Sequence, residues 1–150
     1  MARLRQAFLS TISEGQSMRL FSGSRPVDLG YSAGKFAPPS WKPNAVSSTV
    51  ERNDKHHIAS LSYTGASAAA WKKLRAIVAA FNGTKIIAED GNYLYAEFSS
   101  GIFGFVDDVE FALDQKESLI QVRSASRLGV DDLGVNRKRI ETIRQQLAST

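Results

Sequence analysis

The chain contains no cysteine. Disulfides, thiolate metal sites and thiol nucleophiles are therefore excluded. A reducing compartment is compatible with that absence, and the expected location is cytoplasmic, at most peripheral to a membrane. Histidine is scarce as well: His56 and His57 are the whole supply. No further nitrogen or carboxylate ligands are spaced around them as a metal site requires, and no catalytic motif encloses either ring. Neither a metal nor another cofactor is expected. No apolar run approaches the roughly 20 residues that cross a bilayer. Glycine-rich phosphate loops and nucleophile–base motifs are missing too, which argues against the commonest enzyme classes.

What is present is an ordinary globular composition. The chain has 150 residues, 43% of them apolar and 23% charged, enough for one domain with a sizeable core. A net charge of +4 permits an anionic partner, though a solvated surface gives the same balance.

Residues 1–20 form a first segment. Its start, MARLRQAFLSTI, sets Arg3 and Arg5 among Leu4, Phe8, Leu9 and Ile12 at roughly helical spacing. That pattern suits a short amphipathic segment packed on the domain, or one making peripheral contact with a membrane surface. The arginines are not followed by the continuous apolar stretch of a secretory signal. Residues 21–48 change character, with all four prolines (Pro26, Pro38, Pro39, Pro43) and Gly23, Gly30 and Gly34. Proline removes donors and fixes φ, so an irregular arm laid over the domain is expected, pinned by Leu29, Tyr31, Phe36 and Trp41.

Regular structure is expected over 49–150. A strand fits His57 to Tyr63. Ser67 is placed to cap a helix in which Trp71, Leu74, Ile77, Val78 and Phe81 form one apolar stripe, and Asn82-Gly83 ends it. Strands follow at Thr84 to Glu89, Tyr93 to Phe98, Val106 to Leu113 and Ser118 to Ser126, the first pair joined by the hairpin turn Asp90-Gly91-Asn92. Asn136 is placed as the cap of a last helix whose Ile140, Ile143 and Leu147 share a face. The order β-α-β-β-β-β-α gives an α+β fold: one antiparallel sheet of about five strands with two helices on one face. TATA-binding-protein-like and helix-grip folds share this order by analogy.

The charge chemistry concentrates late in the chain. Asp107 falls on the apolar face of its strand, where an unpaired carboxylate costs several kcal/mol, so it demands a partner. Arg123 or Arg127 should lie near Asp107 or Asp108, because a guanidinium fork matches a carboxylate with two parallel hydrogen bonds. Asp131 or Asp132 is expected at the positive end of the last helix, beside Asn136 and Arg137. These eight residues are the candidate site, either as an internal lattice or as a holder of an external anion.

Several separated segments resemble one known family. They are Ser24-Arg25-Pro26 with Leu29-Gly30, Pro43-Asn44-Ala45-Val46-Ser47-Ser48, Phe105-Val106-Asp107-Asp108-Val109-Glu110-Phe111, Val122-Arg123-Ser124-Ala125-Ser126-Arg127 and Asp132-Leu133-Gly134-Val135-Asn136-Arg137-Lys138-Arg139-Ile140. In this order they resemble the domain of unknown function family 1499 across about 21–147. The resemblance implies a bacterial or plastid domain, often behind a membrane-targeting segment, with no assigned reaction. The family usually carries cysteine where this chain has Ala45, so any chemistry of that thiol is not implied here.

Two function classes follow. One is a non-enzymatic binding or assembly module for an anionic ligand, a lipid surface or a protein partner. The other is a small-molecule hydrolase or isomerase with Asp107, Asp108 or Asp131 as general base and Arg123 or Arg127 as charge stabiliser. Specific nucleic-acid binding is not expected, since Glu97 and Glu110 share the strand face of Tyr93 and Tyr95.

Overall fold

The computed structural model describes residues 21–149, and the amphipathic segment expected at 1–20 lies outside them. The chain runs β1 (Tyr31–Ser32), β2 (Lys35–Phe36), β3 (Ala45–Ser47), β4 (Leu61–Ser62), α1 (Ser67–Ala80), β5 (Thr84–Asp90), β6 (Tyr93–Ser99), β7 (Val106–Asp114), β8 (Leu119–Ser126) and α2 (Val135–Ala148). The fold is α+β, with a mostly antiparallel sheet of six strands ordered β3-β8-β7-β6-β5 and β4 also paired to β8. β1 and β2 form a separate two-stranded ribbon.

The meander β5–β8 follows from alternation along each strand. Leu94, Ala96 and Phe98 of β6, Val109 and Phe111 of β7, and Ile120 and Val122 of β8 turn one way and bury together. Against them pack Leu74 and Val78 of α1 and Ile140, Ile143 and Leu147 of α2, so both helices sit on this inner face. Trp71, Ile77 and Phe81 complete the α1 stripe at the margin of the core. The helices also meet each other: Lys73 of α1 donates to the Leu147 carbonyl (2.9 Å), satisfying the end of α2 that its own backbone leaves open.

Four expectations need correction. Regular pairing near residues 57–63 shrinks to Leu61–Ser62, preceded by an isolated parallel bridge between His57 and Ser47. Ser67 is the first helical residue of α1 and not its cap; Ala66 holds the cap position without a side-chain hydrogen bond. The region 21–48 is not irregular throughout: it supplies the ribbon, and Ala45–Ser47 joins the main sheet by pairing antiparallel with Arg123–Ala125. Within that arm Phe36 is buried, but Trp41 is 72% exposed and pins nothing.

Gly83 shows how tightly the helix-to-strand turn is closed. Its φ is +75°, and a Cβ there would stand 2.3 Å from the Ser99 carbonyl oxygen. Gly83→Ala combines left-handed strain with a backbone clash, so it is expected to lower unfolding free energy by about 2–4 kcal/mol. Urea denaturation measures this directly; a loss below about 0.5 kcal/mol, the scale of a neutral surface change, would show that the turn relaxes freely.

Candidate functional site

The candidate residues separate into three places, set by which side of the sheet each faces. On the outer face, away from the helices, the register puts Glu97 opposite Asp108 and Glu110 opposite Arg123. Tyr93 and Tyr95 share this face. Such a cluster of carboxylates holds together only if cations join it.

Arg127, one residue past β8, supplies the central cation. Its Nε lies 2.9 Å from Asp108 Oδ2 and its Nη2 2.7 Å from Asp108 Oδ1, the two-pronged geometry that suits a guanidinium and a carboxylate. Nη2 is also 2.5 Å from Glu97 Oε1. The Arg127 side chain is 6% exposed and that of Asp108 1%. From the arm, Arg25 closes over the other side of Glu97, with Nη2 2.6 Å from Oε1. Next along the sheet, Arg123 Nη1 donates to Glu110 Oε2 at 3.0 Å, while Glu110 Oε1 accepts from the Gly30 backbone N–H and the Tyr93 hydroxyl, both at 2.7 Å. The Tyr95 hydroxyl donates to Asp108 Oδ1 (2.6 Å) and accepts from Arg127 Nη2 (3.2 Å), which uses its single proton. Three carboxylates thus meet three guanidiniums, with the arm as lid.

The electrostatics follow from this packing. Burial alone would raise the Glu97 carboxyl, but the hydrogen bonds from Arg127 and Arg25 outweigh it and hold the group below the usual carboxylate range. The Asp108 hydrogen bond raises the Arg127 guanidinium beyond its already high value, against burial. Burial first, then hydrogen bonds to Glu110 and Asp108 respectively, push the Tyr93 and Tyr95 hydroxyls well above the ordinary phenol range.

The second place is the inner face. Asp107 does have the partner its apolar position demands, and it is Arg139 of α2, with Nη2 2.5 Å from Oδ2. Neither Arg123 nor Arg127 takes that role. Arg139 also donates to Ser124 Oγ (3.0 Å) and lies over the Phe98 ring, 4.7 Å from its centroid.

The third is the start of α2. Gly134 occupies the cap position in a left-handed conformation, and Asn136 is a buried residue inside the helix and not its cap. The capping oxygens come from Asp132: Oδ1 accepts from Gly134 N–H (3.0 Å) and Oδ2 from Asn136 N–H (2.9 Å). Burial would raise the Asp132 carboxyl; these backbone bonds and the Asn136 side chain together lower it. Asn136 Nδ2 ties the loop to Asn44 and Ser126, which fixes β3 against the end of β8. Asp131 only accepts from Leu133 N–H, and Arg137 only donates to the carbonyls of Lys55 and His57, both at the surface.

Arg25, Glu97, Glu110 and Arg139 were missed as members of these networks. The signal for Glu97 and Glu110 lies in the sequence: both share the outer-face phase of Asp108, and like charges side by side require cations. Arg25 is 72 residues from its partner, and nothing local announces it.

Two cavities lie elsewhere. One of about 130 Å³, beside the start of α2, is lined by Pro43, Ala45, His56, Asp131, Asp132 and Arg137 among others. The His56 ring there is already engaged, Nδ1 2.7 Å from Asp54 Oδ1 and Nε2 2.8 Å from the Lys42 carbonyl. The other, about 320 Å³, runs along α1 past Trp71, Arg75 and Leu113. Glu97, Asp108, Glu110, Arg123 and Arg127 line neither. Among the described residues no group of three or more His, Asp or Glu is placed to hold a metal ion.

The sheet with helices on one face and a lidded ion lattice on the other defines an α+β domain built around buried charge. The chain belongs to the family described as "Protein of unknown function (DUF1499)", whose model matches residues 35–147. The match includes every charged member of the two ion networks except Arg25. A search of curated proteins finds no match.

Because Asp108 would be left buried without a cation, and Glu97 with only the half-exposed Arg25, Arg127→Ala is expected to cost about 3–5 kcal/mol in chemical denaturation. Loss below 1 kcal/mol would mean that the carboxylates rehydrate at little cost. Stability should also fall in acid. Glu97 and Asp132 are depressed in the folded state, so the unfolded chain binds the extra protons. Their contribution is complete above the unfolded values of about 4 and drains away as pH falls through the lower folded ones. Thermal melts between neutral and strongly acidic pH should show this decline, and Glu97→Gln should flatten it. A Gln variant with an unchanged acid slope would remove Glu97 from the account.

Proposed function

We propose that the protein is a non-enzymatic docking module, in which the charge lattice is scaffold and the working surface is the loop end of the sheet. One observation carries the reading: the charges are buried and mutually neutralised, while large apolar side chains stand in solvent. Phe21, Ile102, Phe103, Phe105 and Leu128 are all exposed. They belong together. The Phe21 ring stacks on Phe105 at 5.2 Å and meets Phe103 at 6.4 Å, and Gly23 lies against Leu128. The loops 100–105 and 127–134 leave the same end of β6, β7 and β8, as their antiparallel register requires. A domain that buries the five charges of Glu97, Asp108, Glu110, Arg123 and Arg127 has no folding reason to leave such a cluster in water, and contiguous exposed apolar surface marks contact sites.

An external anion is poorly served by Arg123 and Arg127, whose guanidiniums are already committed to carboxylates. A hydrolase or isomerase needs a carboxylate and a guanidinium facing one concavity. Asp107 and Asp108 are instead closed in by Arg139 and Arg127.

The native chain is expected to be retained on phenyl-agarose at moderate salt. The double variant Ile102→Ser, Phe103→Ser should elute several-fold earlier with its melting temperature within a few degrees of the parent. Equal elution of the two would sink the docking-surface reading.

A further inference from the structure

The end of the sheet opposite the apolar loops holds the larger of the two cavities, about 320 Å³. One wall is a row on α1: Ala68, Trp71, Lys72 and Arg75, which the helical repeat places on one face. The facing wall comes from the β5–β6 turn, with Gly91 and Asn92, and from Leu113 and Gln115 where β7 ends. Small residues keep the space open. Ala68 has only a methyl group, and a Cβ added at Gly91 would meet nothing within 4 Å. The volume stands at the lower edge of the range for small-molecule sites, roughly 300–1,000 Å³.

The lining carries charge of one sign. Lys72 and Arg75 supply two cations, and among the described residues no acidic side chain lines the cavity. Arg75 does pair with Glu89, but through Nε, which lies 2.9 Å from each carboxylate oxygen. Its two terminal nitrogens, like Nζ of Lys72, make no hydrogen bond among the described residues. Two cations three residues apart on a helix repel each other, and an anion between them removes that repulsion.

The rest of the wall is apolar or neutral. Trp71 and Leu113 are packed against the margin of the core, so the fold holds both in place. An indole face attracts either a cation or a second flat ring. Lys72 and Arg75 decide between these guests, since they repel the first and hold the second if it is negatively charged. Gln115 Nε2 lies 3.5 Å from Asn92 Oδ1, which leaves the Asn92 amide nitrogen as a neutral donor.

We propose that this cavity binds a small aromatic anion. The ring lies against Trp71 and Leu113, and the charged group sits between Lys72 and Arg75. The site is independent of the docking surface at the other end of the sheet.

Titration of the isotope-labelled full chain with naphthoate, naphthylmethanol and naphthylmethylammonium, followed by heteronuclear NMR, tests this. Naphthoate should shift the Trp71 indole N–H and the Asn92 and Gln115 side-chain amides, and the shifts should saturate. The alcohol should bind several-fold more weakly, and the ammonium more weakly still. Lys72→Gln with Arg75→Gln, both at exposed positions, should weaken naphthoate about tenfold and leave the alcohol unchanged. Ala68→Leu keeps a strong helix former and should exclude both probes by filling the space. Equal binding of the three probes, or a charge variant that binds naphthoate as the parent does, would overturn the aromatic-anion assignment. If naphthoate moves the amides of residues 102–105 and leaves the Trp71 indole still, the ring goes to the exposed apolar end and the cavity beside α1 is no site.

Discussion

The clasp of Arg127 on Asp108 and Glu97 is the constraint from which the outer half of the molecule follows. Two carboxylates brought side by side by strand register repel each other, and removing them from water is costly in addition. A single guanidinium placed between them answers both problems, at 2.5–2.9 Å from their oxygens. Its own burial then requires a cover, and the segment from Ser22 to Phe36 provides it, with Arg25 on Glu97, the Ser22 carbonyl toward Arg127 and the Gly30 N–H on Glu110. The arm is held mainly through polar contacts, whereas the helices are held through apolar ones.

The two faces of the sheet therefore differ in kind. The inner face is an aliphatic and aromatic core interrupted once, where Asp107 and Arg139 pair beside Phe98. The outer face carries Glu97, Asp108, Glu110 and Arg123 beside Tyr93 and Tyr95 and is equally dry at its centre, with Glu110 showing no exposed surface. Buried ion networks contribute little net stability relative to apolar packing of similar volume, but breaking one is expensive. Here the outermost partners in the network, Arg25, Gly30 and Ser22, belong to the arm.

Much of this was legible in the sequence, and the failures have a common cause. Period-two alternation marked β6, β7 and β8 closely, and Gly83 marked the end of α1, because those signals lie within a few residues of their effect. The need of Asp107 for a cation was also legible from its phase alone. The identity of that cation was not: Arg139 lies 32 residues on, in a helix whose rotation is set by Ile140 and Ile143. Strands β3 and β4 have three and two residues, too few for any periodicity, and they exist only because β8 offers its free edge. Glu97 and Glu110 read as solvent-facing because the sequence shows alternation and hides the lid. The family match agreed with the resemblance of the late motifs, whereas the entry motif around Arg25 precedes the matched span.

β8 is the strand that everything early must wait for. β3, β4 and β7 all pair with it, and Arg127 follows it directly. During synthesis, then, β3 and β4 emerge long before the strand that receives them. About three quarters of the chain must leave the ribosome before the strand that receives β3 and β4 is made, and Asp108 and Glu110 stay hydrated in the nascent chain until Arg123 and Arg127 arrive. Negative charge on the unfinished sheet edge is itself a guard against premature pairing with other chains, so the same carboxylates that later lock the lid keep the half-made domain soluble.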